Sequence, residues 1–239
     1  MRDDKTLGYY AYSNWGRRIA DSIGFKARKR IYKLYLKFFP ADPDSDVVDI
    51  GVTPDTSYEE SNFFERFYPY KDRLFATSIE DASFLEKQYP GMHFVMQTES
   101  LHFPFEDNRF KVLFSNAVIE HVGSKTDQQA FLNECVRISD RGFYITTPDR
   151  LFPVEVHTCL PLINWLPKSL FRKLLRGTKY DWCSYERNLN LLTTREVRKM
   201  MNDICREYES EGKHVKYEIH HLFTFGFPSN IIIVGKIDH

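Results

Sequence analysis

This chain has no net excess of either charge. Its 33 Lys and Arg balance 33 Asp and Glu over 239 residues, so no global positive field draws in nucleic acid and no acidic excess marks a solvating tail. Long apolar runs are missing too. None approaches the ~18 residues that cross a bilayer, and the start, Met1-Arg2-Asp3-Asp4-Lys5, is too polar for a signal peptide. Both point to a cytoplasmic protein. Cysteine is sparse: Cys135, Cys159, Cys183 and Cys205 form no CxxC pair and have no histidine at ligand spacing. They read as free thiols in a reducing compartment, with no metal centre assigned. The Gly-x-Gly-x-x-Gly signature is also absent, which argues against a nicotinamide-dependent oxidoreductase.

What is present suffices for a sizeable core, since 42% of residues are hydrophobic and 15% aromatic. The most informative stretch is Val47-Val48-Asp49-Ile50-Gly51-Val52-Thr53-Pro54-Asp55. Strand-forming residues end in an acid and a glycine, then break into a turn before a helical segment, the arrangement by which doubly wound α/β folds build a site at the carboxyl end of their first strand. Alternation continues from there. The pattern predicts strands at 46–51, 73–78, 92–97, 110–116 and 142–147, with helices at about 58–68, 80–88 and 126–138, hence a parallel sheet with right-handed crossovers. A capped helix is expected from Thr193-Thr194-Arg195-Glu196 to about Glu207. Two strands, 215–225 and 230–237, then finish the chain as a hairpin.

Two segments stand apart. Between Arg17 and Lys37 eight basic residues face one acid, Asp21, while Ile31, Leu34, Tyr35 and Phe38 recur at helical spacing. This predicts a basic amphipathic helix ended by Pro40, in an extension covering residues 1–45. The remaining domain, 46–239, carries an insertion at about 151–190 rich in Pro, Trp, Phe and basic residues, with a helix near 168–175. Trp165, Phe171, Trp182 and Tyr185 are expected to cap an acceptor pocket or to anchor the insertion. Arg172, Lys173, Arg176 and Lys179 add a second basic surface. Peripheral membrane contact through these basic helices is one expectation.

The run from Leu101 to Val122, LHFPFEDNRFKVLFSNAVIEHV, followed by Phe131-Leu132-Asn133-Glu134-Cys135-Val136-Arg137-Ile138, resembles the stretch LPFPDNSFDVVFSNAVLEHV and the succeeding helix of class I S-adenosylmethionine-dependent methyltransferases of the type 11 group. The resemblance covers about 46–150. It implies a Rossmann-like fold with a mostly parallel seven-stranded sheet, an antiparallel carboxyl-terminal hairpin and S-adenosylmethionine as cofactor. The chain departs from the family at the glycine-rich loop, of which only Asp49 and Gly51 remain. Pro54 removes an amide donor and Val52 adds bulk at the rim. A bacterial subgroup is similar in carrying Gly-Val-Thr-Pro-Asp at this loop, with a segment matching Glu60 to Glu65.

Cofactor-site residues follow from that resemblance. Gly51 is the turn on which the cofactor would rest, with Thr53 in the same loop, and Asp49 would orient the loop or meet the methionine ammonium. The acid that takes both ribose hydroxyls in the family is replaced by Ser78, which leaves Glu80 as the substitute or as a helix N-terminal acid. Glu99 falls where the family receives the adenine amino group, and Asn116 at the pocket floor.

On the acceptor side, Glu155 and His157 alternate with Val154 and Val156 after the fifth strand. In extended conformation both polar groups would face one way, as a base and its orienting group. His121, after Glu120, is a third catalytic candidate or a structural hydrogen-bonding histidine. The acceptor implied is a small molecule or glycan-type compound methylated at oxygen or nitrogen, without nucleic acid. The alternative is a non-catalytic relative, a binding or scaffolding module that has lost its glycines.

Overall fold

The computed structural model describes residues 14–56, 61–99 and 101–238, with side chains from residue 24 onward. Seven strands form one sheet in the order β3-β2-β1-β4-β5-β7-β6. They are β1 (Val47–Ile50), β2 (Leu74–Ser78), β3 (His93–Met96), β4 (Phe110–Asn116), β5 (Ser139–Pro148), β6 (His214–Thr224) and β7 (Phe227–Asp238). The first five are parallel; β7 runs antiparallel between β5 and β6. The chain reverses at β1, between β2 and β4, and so opens a crevice at the carboxyl edge there. Strand expectations hold to within a few residues.

Alternation along the strands sends side chains into two helical layers. Val48, Ile50, Leu113, Phe143 and Ile145 meet α4 (Lys125–Arg137) and α6 (Thr194–Ser210) on one face. Both helices begin with reciprocal capping boxes, Ser124 with Asp127 and Thr193 with Glu196, which satisfy otherwise orphaned amides. On the other face lie α1 (Asn14–Phe38) and α2 (Phe63–Phe67). The predicted basic helix is a core element here: Ile31 and Tyr35 are buried, and the Tyr35 ring sits edge-on to Phe64, Phe114 and Tyr144 at 5.1–5.6 Å. Lys26, Lys29, Arg30, Lys33 and Lys37 occupy its exposed side.

Two helices begin later than their expected positions. Helix α2 starts at Phe63 because Asn62 adopts a left-handed conformation (φ 51°) and turns its amide back onto the β1 loop; 57–60, expected partly helical, lie outside the described residues. Helix α3 (Phe84–Gln88) starts after Asp81 has accepted the Ser83 amide in a local turn. The insertion contains α5 (Lys168–Leu175), whose Phe171 and Leu175 pack with Cys183, Leu189 and Leu191 into a separate small core.

Beneath β1, Asp49 faces Glu65 of α2, and both are buried. Burial, and then the Glu65 carboxylate, push the Asp49 carboxyl well above its usual range. Burial raises Glu65 too, against the opposing pull of the Asp49 hydrogen bond. The pair therefore retains a proton between its carboxyls. Lys71 moderates the charge while donating to the carbonyls of Glu65 and Tyr68. Raised folded-state values mean that stability from this pair is fullest at low pH and is lost as pH climbs through them. Asp49→Asn should therefore flatten the pH dependence of Tm above the ordinary carboxylate range of about pH 4, measured by thermal denaturation against the parent; parallel curves would refute the raised carboxyls.

Candidate functional site

Gly51 closes β1 with φ at +94°, a backbone that L side chains resist, and a Cβ there would overlap the Val118 side chain. The glycine is exposed at the end of the central strand. Val52, whose bulk was expected at the rim, is 4% exposed and packs inward with the α1–α2 layer, because the turn after Gly51 points the next residue into the core. The crevice is not plugged by it. The loop is instead self-sufficient in hydrogen bonds: Gly51 and Val52 donate to the Thr77 carbonyl at 2.8 and 3.3 Å. Thr53 is bracketed by the Asn62 side chain at 2.9 and 2.8 Å, and its hydroxyl accepts the Asp55 amide.

At the end of β2, Ser78 is buried and its hydroxyl accepts the Glu80 amide at 3.2 Å. Glu80 is exposed in a bend ahead of α3, so its expected alternative role as a helix N-terminal acid does not hold. Between them Ile79 is 57% exposed, an apolar side chain on the rim that the sequence reading did not single out. Past β3, Gln97 donates to the Ser78 carbonyl through its amide nitrogen and to the Glu99 carbonyl through its side chain. Glu99 is exposed and bridges to His102. Asp49 lies below the rim, in the carboxyl pair.

The loop after β4 links this rim to the insertion. Asn116 accepts the Thr146 hydroxyl at 2.7 Å, the Ala117 amide bonds the Thr146 carbonyl, and Val118 lies over Gly51. A tight turn, Ile119–His121, then delivers Glu120 and His121 beneath the loop after β5. There Glu155 and His157 occupy a turn, contrary to the extended conformation expected. The reason is local: the Glu155 carboxylate accepts the backbone amides of His157 and Thr158 at 3.0 and 2.6 Å, which curls the chain around it. The pair nevertheless meets, with His157 Nδ1 2.7 Å from Glu155 Oε1 and both residues buried.

Four titratable groups therefore share one buried space. Burial alone would raise Glu155, but His157 and the turn amides outweigh it and hold the carboxyl at about 2. Burial likewise opposes charge on His157, yet Glu155 raises its pKa. Desolvation pushes Glu120 up to about 7. Desolvation and then His157 drive His121 down to about 3, so it stays neutral. His121 Nδ1 lies 2.7 Å from the Asn188 carbonyl, the hydrogen bond expected of its structural role. Its ring meets His157 edge-on at 5.0 Å and Trp182 at 5.8 Å. The Thr147 hydroxyl donates to Glu120 Oε2 at 2.8 Å, while Glu120 Oε1 is buried with no hydrogen-bond partner among the described residues. Glu120 carries no local sign of this role, which depends on contacts with residues 27 and 37 positions away. Such a site can hold a proton or a cation away from water.

A family model described as a methyltransferase domain matches residues 69–146, which run from just before β2 into β5. No curated protein sequence matches the chain. Among solved structures, a magnesium protoporphyrin IX methyltransferase from Synechocystis with bound S-adenosylhomocysteine is 12% identical with a TM-score of 0.56, over 97% of this chain and 91% of that one. The 1,6-didemethyltoxoflavin-N1-methyltransferase of Burkholderia thailandensis is 10% identical with a TM-score of 0.57, over 99% and 86%. A possible histamine N-methyltransferase from Thermotoga maritima is 15% identical with a TM-score of 0.54, over 93% and 95%. The chain has the fold of class I S-adenosylmethionine-dependent methyltransferases, with a methyltransferase-domain match over its middle third.

Proposed function

We propose that the protein transfers a methyl group from S-adenosylmethionine to an oxygen or nitrogen of a small-molecule or glycan-type acceptor. The observation that carries this is the open carboxyl edge of β1: Gly51 is exposed, Val52 is turned into the core, and Ile79 is uncovered beside them. The residues present fit the nucleoside end of the cofactor. Ile79 offers an apolar surface to a flat base, while Glu80 and Glu99 offer acceptors for ribose hydroxyls and an exocyclic amine. Solved relatives of this fold carry S-adenosylhomocysteine or S-adenosylmethionine. The methionine end has fewer donors, since the amides of residues 51–53 are already bonded within the protein. That feature favours the second reading, a non-catalytic relative.

Bound S-adenosylmethionine supplies an electrophilic methyl group on a positively charged sulfur that leaves unaided. The chain's task is alignment and removal of the acceptor's proton. His157 and Glu155 stand at the carboxyl edge on a loop reached from the rim through Val118 and Glu120. Glu155 stabilises the protonated imidazole, so proton removal depends on this pair; Asn116 and His121 shape the floor between rim and pair. The basic faces of α1 and the insertion suit an acceptor that is anionic or carried on a membrane surface.

Calorimetric titration with S-adenosylmethionine and S-adenosylhomocysteine should show saturable binding of each. No binding of either at millimolar concentration would instead establish the non-catalytic reading. Ile79→Ser, at an exposed position, should weaken both by about fivefold, roughly 1 kcal/mol of lost apolar contact; unchanged affinity would remove this rim from the site. His157→Ala should leave cofactor affinity intact while lowering transfer of radiolabelled methyl into the small-molecule and glycan fractions of a cell extract by about 100-fold. Equal labelling by parent and variant would take His157 out of catalysis.

A further inference from the structure

Glu120, His121 and His157 each place one ligand atom within 4.8 Å of the others. The two rings come from different loops, after β4 and after β5, so their meeting is a product of the tertiary fold. Each residue is also held by a hydrogen bond with a group outside the trio. Nδ1 of His157 is engaged by the Glu155 carboxylate and Nδ1 of His121 by the Asn188 carbonyl, so Nε2 is the ring atom that coordination would use. One Glu120 oxygen accepts the Thr147 hydroxyl; the other, buried and without a hydrogen-bond partner among the described residues, lies 3.9 Å from His121 Nε2.

We propose that Glu120, His121 and His157 bind a divalent first-row transition metal, with Zn²⁺ as the simplest occupant, through one carboxylate oxygen and two imidazole nitrogens. The donor set is the one borderline dications select, and three protein ligands leave a coordination position open. The groups behind the two imidazoles also have the required form. Ligating histidines hold their tautomer by giving the other ring N–H to a carboxylate or carbonyl, and here Glu155 and Asn188 supply one of each. Metal bonds of ~2.0–2.1 Å place donors ~3.4 Å apart, so the 3.9 Å between Glu120 and His121 must close by about half an ångström and the other separations, within 4.8 Å, by at most about 1.4 Å.

The role of the ion rests on the methyl-transfer reading; its binding does not. Held as a ligand, His157 would no longer take the acceptor's proton; the ion's open position would instead bind the acceptor in its deprotonated form, the proton having left to solvent before the acceptor enters the buried space. The acceptor class this favours is one with a hydroxyl or other group that ligates a borderline metal.

The test uses the full chain, stripped with chelator and checked by circular dichroism, then titrated with Zn²⁺ calorimetrically and with Co²⁺ by visible absorption. One equivalent should bind, with ligand-field bands of a four- or five-coordinate site. His121→Ala and the near-isosteric Glu120→Gln should each weaken binding by at least tenfold, and Glu155→Gln, which neutralises the carboxylate behind His157, by tenfold to 100-fold. Stoichiometric binding unchanged in both ligand variants, or no Co²⁺ bands in the parent, would overturn the site. S-adenosylmethionine titrated into the metal-free chain separates the two readings: retained cofactor binding without metal binding refutes only the metal, and the converse refutes only the methyl-transfer reading.

Discussion

The site depends on a missing side chain. Because Gly51 carries no Cβ, Val118 can settle over the end of β1, and the loop after β4 closes against the loop after β1. That contact sets the position of the Ile119–His121 turn, which in turn puts Glu120 under Thr147 and His121 against Asn188 and Trp182. Rim and insertion are thus coupled through three consecutive segments. A residue with a side chain at 51 would be strained by its φ and would also displace the loop that carries half of the buried cluster.

Two buried pairs flank this contact and have opposite electrostatic character. Asp49 and Glu65 repel, and the protein accommodates them by keeping a proton between them. Glu155 and His157 attract, and the backbone amides of the turn complete the solvation that burial removed. The first pair lies beneath β1, the second in the loop after β5. Burying such groups gains little stability in itself. Their position around the open edge of the sheet suits a site where charge must be held out of water.

The basic helix and the aromatic insertion are built as amphipathic surfaces with an apolar interior. In α1, Ile31 and Tyr35 complete a layer of stacked aromatic rings, and Arg30 reaches the Phe223 carbonyl of β6. In the insertion, Phe171 and Leu175 form a satellite core, while Leu170, Leu174 and Trp165 stay uncovered beside Arg172, Lys173 and Arg176. Asn190 ties the insertion to the main sheet by bonding the Gly123 carbonyl and accepting from Lys168. The insertion is therefore tied to the segment that follows Glu120.

The sequence by itself determined the layered α/β order, the strand positions, both capped helices and the hairpin, because these rest on local periodicity and on side chains that bond within three residues. Gly51 stood out from its place at the end of the first strand, and Glu155 and His157 from their alternation in the loop after the fifth. Only the tertiary structure decided that Val52 faces inward, that Ile79 is bare, that Asp49 answers to Glu65, and that Glu120 and His121 join His157. Each of these depends on which residues distant in sequence are brought face to face, and a pattern of neighbours along the chain carries no record of that.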